Sequence, residues 1–277
     1  MIFKKILTLL DFTLLPRCIS NNKTLVFQLV KRNIAIRYRG SALGLIWSFV
    51  QPLMMLSIYT FVFSVIFKAK WGVDIGDSKG AFAIIMFCGL ALYNIFSESV
   101  NTSCQIIISN PNFVKKVIFP LEILPLTQVL SSIILGMVWF ILLFLGALLV
   151  FGKIYFTVFL FPIIIIPLAF FSLGISYFVA SWAVYVRDTQ YVIGVLLQIV
   201  FFVTPIFYPI QAVPERYRFV LEMNPLTVII EEARKIFLYG QLPDWTYIGI
   251  ATLISYIVLH FGFIWFYKTK KGFADVL

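Results

Sequence analysis

Six long apolar runs are the feature that most constrains what this chain can fold into. Each run holds roughly 20 or more residues, the length that an α-helix needs to cross about 30 Å of hydrocarbon. Apolar residues make up 61% of the 277-residue chain and charged residues only 12%, so a soluble fold could not bury this much apolar surface. The runs also lack the alternation of barrel strands. The sequence therefore predicts an all-α integral membrane protein with six transmembrane helices, near Gly44–Phe67, Phe82–Ser109, Leu126–Phe151, Phe156–Tyr185, Tyr191–Tyr208 and Thr246–Tyr267.

The placement of Lys and Arg predicts the orientation of these helices. The chain carries 22 Lys and Arg and a formal charge of +10. With both termini inside, fourteen of these residues fall in inner segments and eight in outer segments. Because Lys and Arg concentrate on the cytoplasmic side of membrane proteins, we expect an N-in, C-in topology. The same placement accounts for the surplus charge, so we expect no nucleic-acid partner.

An amphipathic helix is predicted before the first span, over Leu25–Arg39. Val26, Val30, Ile34 and Tyr38 recur at steps of four residues, which places them on one helical face. We expect this helix to lie along the inner membrane surface, among membrane lipids. Two interpretations stay open: a solvated cationic flank that only fixes topology, or one wall of a docking site for a cytoplasmic partner. The cationic candidates for docking are Lys31, Arg32 and Arg39.

Polar side chains inside the first two spans are candidates for a channel lining. Such residues usually face protein or water, not lipid. Packing against another helix explains the stripe on the first span about as well as a channel does. A proton relay between Glu98 and the single histidine, His260, is a further alternative. The candidate lining residues are Ser48, Gln51, Met55, Tyr59 and Glu98.

The segment Asn110–Leu126, NPNFVKKVIFPLEILPL, lies between the second and third spans. We call it the elbow. Asn110-Pro111 is a typical helix start, and prolines bound the segment, so the sequence predicts a short, stiff helix over Asn110–Pro120. A stiff segment can pass movement of a cytoplasmic partner to the spans attached to it. The candidate contact residues are Asn110, Pro111, Phe113, Lys115, Lys116, Phe119 and Pro120.

A second irregular region follows the fifth span. The motif TPIFYP suggests a span that stops early or re-enters, and 210–245, which we call the gate segment, is predicted to hold short re-entrant helices on the outer side. Asn224-Pro225 opens one helix and Gly240 closes it, with a predicted Glu231–Lys235 pair on its polar face. A plain interfacial helix and a lid over an exit both fit. Further candidates are Phe207 and Tyr208 for a channel, and Pro209, Asn224, Pro225, Glu231 and Arg234 for a gate.

Signatures of catalysis are weak in this chain. Asp74 and Asp77 form a DxxD pair, but lysines surround it, and a solvated turn explains it better than a metal site. No phosphate loop of the form G-x-x-x-x-G-K-[ST] occurs in the sequence. Any ATP-driven step therefore requires a separate protein, and we expect no cofactor and no metal in this chain.

Three stretches resemble one family of membrane proteins. The elbow, the segment RYRGSALGLIWSFVQP and the outer stretch TPIFYP…NPLTVIIEEARKIF resemble the type-2 ABC transporter permeases that export O-antigen, capsule or teichoic acid. The resemblance extends from about Leu25 to the C-terminus. It implies a single transmembrane permease domain over residues 1–277 and no enzymatic activity. An ion-coupled transporter and an integral-membrane lipid-linked phosphotransferase remain the alternatives.

The resemblance also implies an assembly. It predicts a homodimer in the bacterial cytoplasmic (inner) membrane with two cytoplasmic ATPase subunits, which hold ATP and magnesium. The expected substrate is an undecaprenyl-diphosphate-linked polysaccharide, O-antigen first and capsule or teichoic acid second. In this scheme Leu25–Arg39 is the interface helix, Asn110–Pro120 is the coupling helix, and the helices after Pro209 form a periplasmic gate.

Overall fold

The computed structural model describes residues 14–66, 79–115 and 119–277, and over these ranges it contains helices and no strand. Lys116, Asp74 and Asp77 lie outside the described residues. Proline and glycine set several helix ends; Gly152 and Gly240, for example, close helices with positive φ. The helices are α1 Leu14–Asn21, α2 Lys23–Arg37, α3 Trp47–Tyr59, α4 Lys79–Ile106, α5 Pro111–Lys115, α6 Ile123–Phe151, α7 Phe161–Tyr185, α8 Thr189–Val203, α9 Glu215–Glu222, α10 Pro225–Arg234, α11 Trp245–Thr269 and α12 Phe273–Val276.

Within the described residues, five helical segments are long and apolar enough to cross a membrane. The expected fifth span is shorter than predicted: α8 ends at Val203 after 15 residues, about 22 Å at 1.5 Å per residue. It ends there because Thr204 precedes Pro205, and a residue before proline is pushed from helical to extended backbone; Thr204 has ψ 135°. The five long segments are Gly44–Phe63, Gly80–Ile106, Ile123–Phe151, Phe156–Tyr185 and Trp245–Val276.

Helix α4 is the centre of the bundle. It is the most buried of the long helices and packs against both α6 and α7. Helix α3 is the least buried and lies at the periphery. Pro52 interrupts its hydrogen bonding, and the helix continues into π-helical turns over Thr60–Ile66. A central helix and a peripheral helix thus face very different surroundings, although their sequences are similarly apolar.

Helices α7 and α11 approach each other more closely than any side chain would permit. A Cβ on Gly262 would lie 2.1 Å from the carbonyl oxygen of Gly174, and a Cβ on Gly174 would lie 2.6 Å from the backbone of Leu259. Small residues at such crossings let helix backbones touch and gain dispersion energy. Gly174 and Gly262 are therefore the residues that permit this close crossing.

The buried apolar residues form two cores. One joins the middle of α4 to the gate segment, through residues such as Phe87 and Ile230. The other joins the elbow to α2, α7 and the C-terminus, through residues such as Leu124, Tyr177 and Phe273. The elbow and the gate segment are therefore not loose connections, because each is part of a packed core.

Candidate functional site

Helix α2 lies where the sequence predicts an amphipathic helix, with bounds shifted by two residues. Val26, Leu29 and Val30 are its buried residues. Because this apolar face packs into the elbow core, the helix is anchored to the bundle and not only to a membrane surface. Lys31 and Arg39 are exposed, which leaves two of the three docking candidates accessible to a partner.

Arg32, the third candidate, contacts the elbow instead. Its guanidinium lies 5.6 Å from the centre of the Phe113 ring on α5, within the range of a cation–π interaction. Phe113 in turn stacks on Phe119 at 4.5 Å. Asn33, one residue further along α2, donates to the side chains of Thr127 and Gln128 on α6, at 3.4 and 3.3 Å. Helix α2 is thus attached to both ends of the elbow.

Helix α5 is the elbow helix, and its described residues are Pro111–Lys115; Phe119 and Pro120 lie outside any helix. Pro111 and Lys115 are exposed and Pro120 is half-buried. Asn110 was predicted to cap the start of the elbow helix with its side chain. Its side-chain amide instead donates to the carbonyl of Ile106, at 2.8 Å. Asn110 therefore satisfies a free carbonyl at the end of α4, because helix ends leave such carbonyls without helical partners.

Glu98 has a cationic partner. Nη1 of Arg37 at the end of α2 lies 2.6 Å from Oε1 of Glu98 on α4, and both side chains are partly exposed. The other residue of the suggested proton relay, His260, lines a cavity to which α4 contributes no residue. The two residues thus have separate surroundings, and the carboxylate of Glu98 connects α2 to the central helix.

A second ion pair connects the elbow to the C-terminus. The ammonium of Lys270 contacts Oε1 of Glu122, a glutamate that is only 6% exposed. The other carboxylate oxygen, Oε2, is buried without a hydrogen-bond partner. The fully buried Tyr177 on α7 donates its hydroxyl to the backbone carbonyl of Glu122, at 2.9 Å. Glu122 is thus the point at which the elbow, α7 and the C-terminal turn meet.

The turn after α11 is fixed by side chains as well. Phe273 is fully buried and packs on Phe266 and Tyr185. The Tyr185 hydroxyl donates to the carbonyl of Thr269, at 2.8 Å. Helix α12, which begins at Phe273, lies beside α5. The basic C-terminal stretch therefore supports the elbow.

Cys18 on α1 lies close to this ion pair. Burial raises the pKa of its thiol above the ordinary value, the negative charge of Glu122 raises it further, and the positive charge of Lys270 opposes the shift. The reactive form of cysteine is the thiolate. Cys18 is therefore a poor nucleophile at neutral pH and a natural reporter of the two charges beside it.

The predicted polar stripe on α3 divides between two environments. Ser48 is buried and donates to the carbonyl of Leu45, at 2.6 Å, whereas Gln51 and Met55 are exposed. Tyr59 packs against the Phe207 ring, at 5.3 Å. The exposed pair is thus the part of the stripe that can face a channel or a partner subunit.

An aromatic cluster lies where α3, α4 and α8 meet the TPIFYP motif. Phe207 is 5% exposed and stacks on Phe63 at 4.5 Å, while Tyr93 packs on Phe201 at 5.0 Å. Tyr208 is half-buried, and its hydroxyl donates to the carbonyl of Phe202, at 3.0 Å. These rings hold the irregular end of α8 against the bundle.

The predicted start and end signals of the gate-segment helix match the structure, with Gly240 closing the helix. The side chain of Asn224 accepts from the amide of Leu226, at 3.1 Å, with Pro225 in the first turn of α10. Pro209, with extended backbone, precedes a short 3-10 turn at Ile210–Ala212. The apolar face of α10 and its π-helical extension is buried, and its residues are Leu226, Ile229, Ile230, Ala233 and Phe237.

The predicted Glu231–Lys235 pair is wrong. Glu231 pairs instead with Arg234, at 2.6 Å, and Lys235 pairs with Glu232, also at 2.6 Å. Both pairs are spaced by three residues, because Arg234 turns into the bundle and draws Glu231 with it. Glu232 is 3% exposed, and its second oxygen accepts from the backbone amide of Asp244, at 2.8 Å. This carboxylate thus ties α10 to the start of α11.

Arg234 is the most unusual side chain of the gate segment, since it is fully buried. Its guanidinium donates to the carbonyls of Pro205 and Ile206, at 2.8 and 3.1 Å, and to that of Ile85 on α4, at 3.4 Å. The carbonyls after Val203 have left the helix and need partners. The guanidinium of Arg234 donates hydrogen bonds to these carbonyls. One side chain therefore connects α10, α4 and the C-terminal end of α8.

Sequence reasoning missed several of these contacts. Asn33, Arg37, Glu122, Lys270 and Phe273 were not candidates, because their partners lie far away along the chain. One signal was available: Glu122 is the only acidic residue in the elbow. A lone carboxylate between prolines and apolar residues calls for a cationic partner.

The fold and these two regions define a class of protein. The described residues form a bundle of apolar helices with a braced elbow and a packed gate segment, and this is the architecture of a multi-pass membrane protein. The model of the family described as ABC-2 type transporter matches residues 24–238. The chain belongs to this family, which confirms the resemblance drawn from its motifs.

Curated relatives agree with this assignment. The chain is 28% identical over 255 residues to a Klebsiella pneumoniae protein named O-antigen export system permease protein RfbA, covering 91% of this chain and 95% of that protein. It is 28% identical over 258 residues to the Myxococcus xanthus protein of the same name, covering 91% and 94%. It is 24% identical over 253 residues to the Escherichia coli polysialic acid transport protein KpsM, covering 90% and 94%.

Proposed function

We propose that this chain is the permease subunit of an ATP-driven exporter that moves an undecaprenyl-diphosphate-linked polysaccharide across the bacterial inner membrane. The observation that carries the proposal is the elbow. Helix α5 exposes Lys115, while Arg32 and Glu122 connect its surroundings to α2 and to the C-terminal turn. A braced, cationic helix of this kind is suited to bind a partner and to transmit the partner's movement to the spans.

The partner in this proposal is a pair of cytoplasmic ATPase subunits, which bind ATP and magnesium. The docking surface consists of the exposed cations Lys31, Arg39 and Lys115, together with Lys116. Movement of α5 would reach α2 through Arg32, and α11 through Glu122 and Lys270. The family supports an ABC transporter assembly, and the permease itself carries out no hydrolysis.

The proposed topology has six spans with both termini in the cytoplasm. Helix α8 serves as the fifth span, and the gate segment, as a re-entrant region on the periplasmic side, completes the crossing that α8 is too short to make. The Lys and Arg bias supports this orientation. The elbow then lies inside and the gate segment outside, at opposite ends of the bundle.

The functional unit is proposed to be a homodimer with its channel along the subunit interface. Helices α3 and α8 present exposed apolar side chains such as Ile58 and Ile199, which pairing of two copies would cover. Gln51 and Met55 would then line the path. The aromatic cluster beside Phe207 would lie near its outer end, where sugar faces stack on rings.

O-antigen is the proposed polymer, since the RfbA relatives carry that activity in their names. A capsule polymer is the second candidate, because a polysialic acid transport protein is also a relative. Export assays with a lipid-linked O-antigen and with a lipid-linked capsule polymer distinguish the two. Transport of the capsule polymer alone would overturn the choice of O-antigen without affecting the proposed mechanism.

Co-purification tests the ATPase partner. The chain extracted from its native membrane is expected to carry an ABC ATPase at equal stoichiometry, identified by mass spectrometry. The double variant Lys115→Glu, Lys116→Glu is expected to lose that subunit and export activity while remaining folded in the membrane. A matched control, Lys153→Glu with Arg216→Glu, changes two exposed cations on the proposed outer side. Unchanged export in the elbow variant would contradict the coupling role.

A further inference from the structure

An apolar cavity of about 500 Å³ lies between α1, α6, α7 and α11. This volume falls within the range of roughly 300–1,000 Å³ typical of ligand pockets. Leu130, Phe170 and Leu259 are among its lining residues, and within the part of the chain that the structure describes the charged residue of the lining is Lys23, at the start of α2. The cavity contributes to neither of the regions described above, since no residue of α5 or of the gate segment lines it.

The cavity is elongated along the helices. On α6 its wall runs from Leu126 to Ile133, and on α11 from Tyr256 to Phe263. Each wall covers about 10 Å at 1.5 Å per residue. One membrane leaflet contributes about 15 Å of hydrocarbon. The cavity therefore has the direction and depth of a single acyl chain lying parallel to the spans.

The part of the lining that α1 and the start of α2 contribute has a different chemistry. Ser20 and Lys23 line the end formed by α1 and α2. Lys23 is exposed, and among the described residues no ion pair engages it. A cation above an apolar slot between spans is complementary to a lipid that has a negative headgroup. The apolar walls offer water few hydrogen-bond partners, so hydrocarbon is the better occupant.

We propose that this cavity binds one anionic phospholipid, with an acyl chain between α6, α7 and α11 and its phosphate at Lys23. The lipid would complete the packing of α1, a short helix that has few other partners. Because the cavity lies beside the elbow core, the lipid would also steady α2. The site depends on neither the ATPase partner nor the exported polymer.

Native mass spectrometry of the purified chain tests the site. The probes are dioleoylphosphatidylglycerol and dioleoylphosphatidylcholine, added separately and in competition. We expect one tightly retained phosphatidylglycerol and about fivefold preference over phosphatidylcholine, the effect of one lysine at a membrane surface. Lys23→Gln should abolish the preference, whereas Lys271→Gln, at another exposed lysine, should preserve it.

A second test of the lipid site fills the cavity with a larger side chain. Ala169→Phe places a ring in the slot, whereas Ile166→Phe adds the same ring to an exposed position of α7. Only the first should lose the retained lipid; Leu130→Phe fills the slot from α6 if Ala169→Phe does not fold.

Equal binding of both lipids by the unaltered chain would overturn the proposal, as would lipid retention in both filled variants. Displacement of phosphatidylglycerol by a polyprenyl phosphate would also overturn it, by assigning the cavity to the substrate lipid.

Discussion

Lys270, just after α11, forms an ion pair with Glu122, 148 residues earlier at the mouth of α6. Each partner has a different exposure: Glu122 is almost fully buried, whereas about a quarter of the Lys270 side chain is exposed. Removal of the lysine would therefore leave a buried carboxylate without compensation. Removal of the carboxylate would leave a lysine that can turn towards solvent. The two halves of this pair are not equivalent.

This asymmetry predicts the effect of single substitutions. Lys270→Met should lower the free energy of unfolding by about 1–3 kcal/mol, and Glu122→Gln by less. Lys271→Met, which alters an exposed neighbour, should have almost no effect. Unfolding in mixed detergent micelles measures all three. A larger loss for Glu122→Gln than for Lys270→Met would contradict the burial argument.

Cys18 should report the same pair through its labelling rate. Glu122 raises the pKa of the thiol and Lys270 lowers it. Glu122→Gln should therefore lower the pKa, increase the thiolate fraction at pH 8 and accelerate maleimide labelling. Lys270→Met should raise the pKa and slow labelling. Rates measured from pH 7 to 10, with the label assigned to Cys18 by peptide mass spectrometry, provide the test. Shifts in the same direction for both variants would indicate a change in access instead of charge.

Arg234→Gln should disrupt the gate segment. The shorter neutral side chain cannot serve the carbonyls of Pro205, Ile206 and Ile85 together, so several buried acceptors would lose their donors. We expect a loss on the order of 3 kcal/mol in unfolding free energy and new proteolytic cleavage after Val203. Arg216→Gln removes an exposed arginine from α9 and is the control. Equal stability of the two variants would show that the buried contacts of Arg234 contribute little to the free energy of unfolding.

Gly262→Ala should separate α7 from α11. A Cβ at this position would lie 2.1 Å from a backbone oxygen, and neither backbone can yield without moving its helix. We expect a loss of about 1–3 kcal/mol, the usual effect of overpacking. Gly249→Ala places the same methyl group on the same helix in open space and should be neutral or slightly stabilising. Thermal unfolding of the two variants compares them, and equal melting temperatures would argue against the close crossing.

Local patterns were sufficient to predict much of this architecture. Apolar run length located the helices, and the Asn224-Pro225 and Gly240 signals placed the ends of α10 with its π-helical extension. These features depend on neighbours within a few residues. The elbow was recognised because its prolines and lysines interrupt an apolar background, which is again a local contrast.

The sequence did not determine which of several possible partners a polar side chain takes. Spacing suggested that Glu231 would pair with Lys235, but burial of Arg234 gave Glu231 a different partner. Asn110 matched the pattern of a helix start, yet its amide binds the end of the preceding helix. In both cases a nearby residue offered an acceptable partner, and tertiary packing selected another. The spacing of residues within one segment does not indicate which partner is chosen.

The C-terminal turn has a practical consequence for experiments on this protein. Phe273 is fully buried and lies four residues after Thr269, where α11 ends. Topology reporters and affinity tags are often fused directly after a last transmembrane helix. A fusion at Thr269 would remove both Lys270 and Phe273, and would report on a protein whose elbow has lost its support. Tags should instead follow Leu277 through a flexible linker, so that the reporter leaves intact the part of the molecule it is meant to observe.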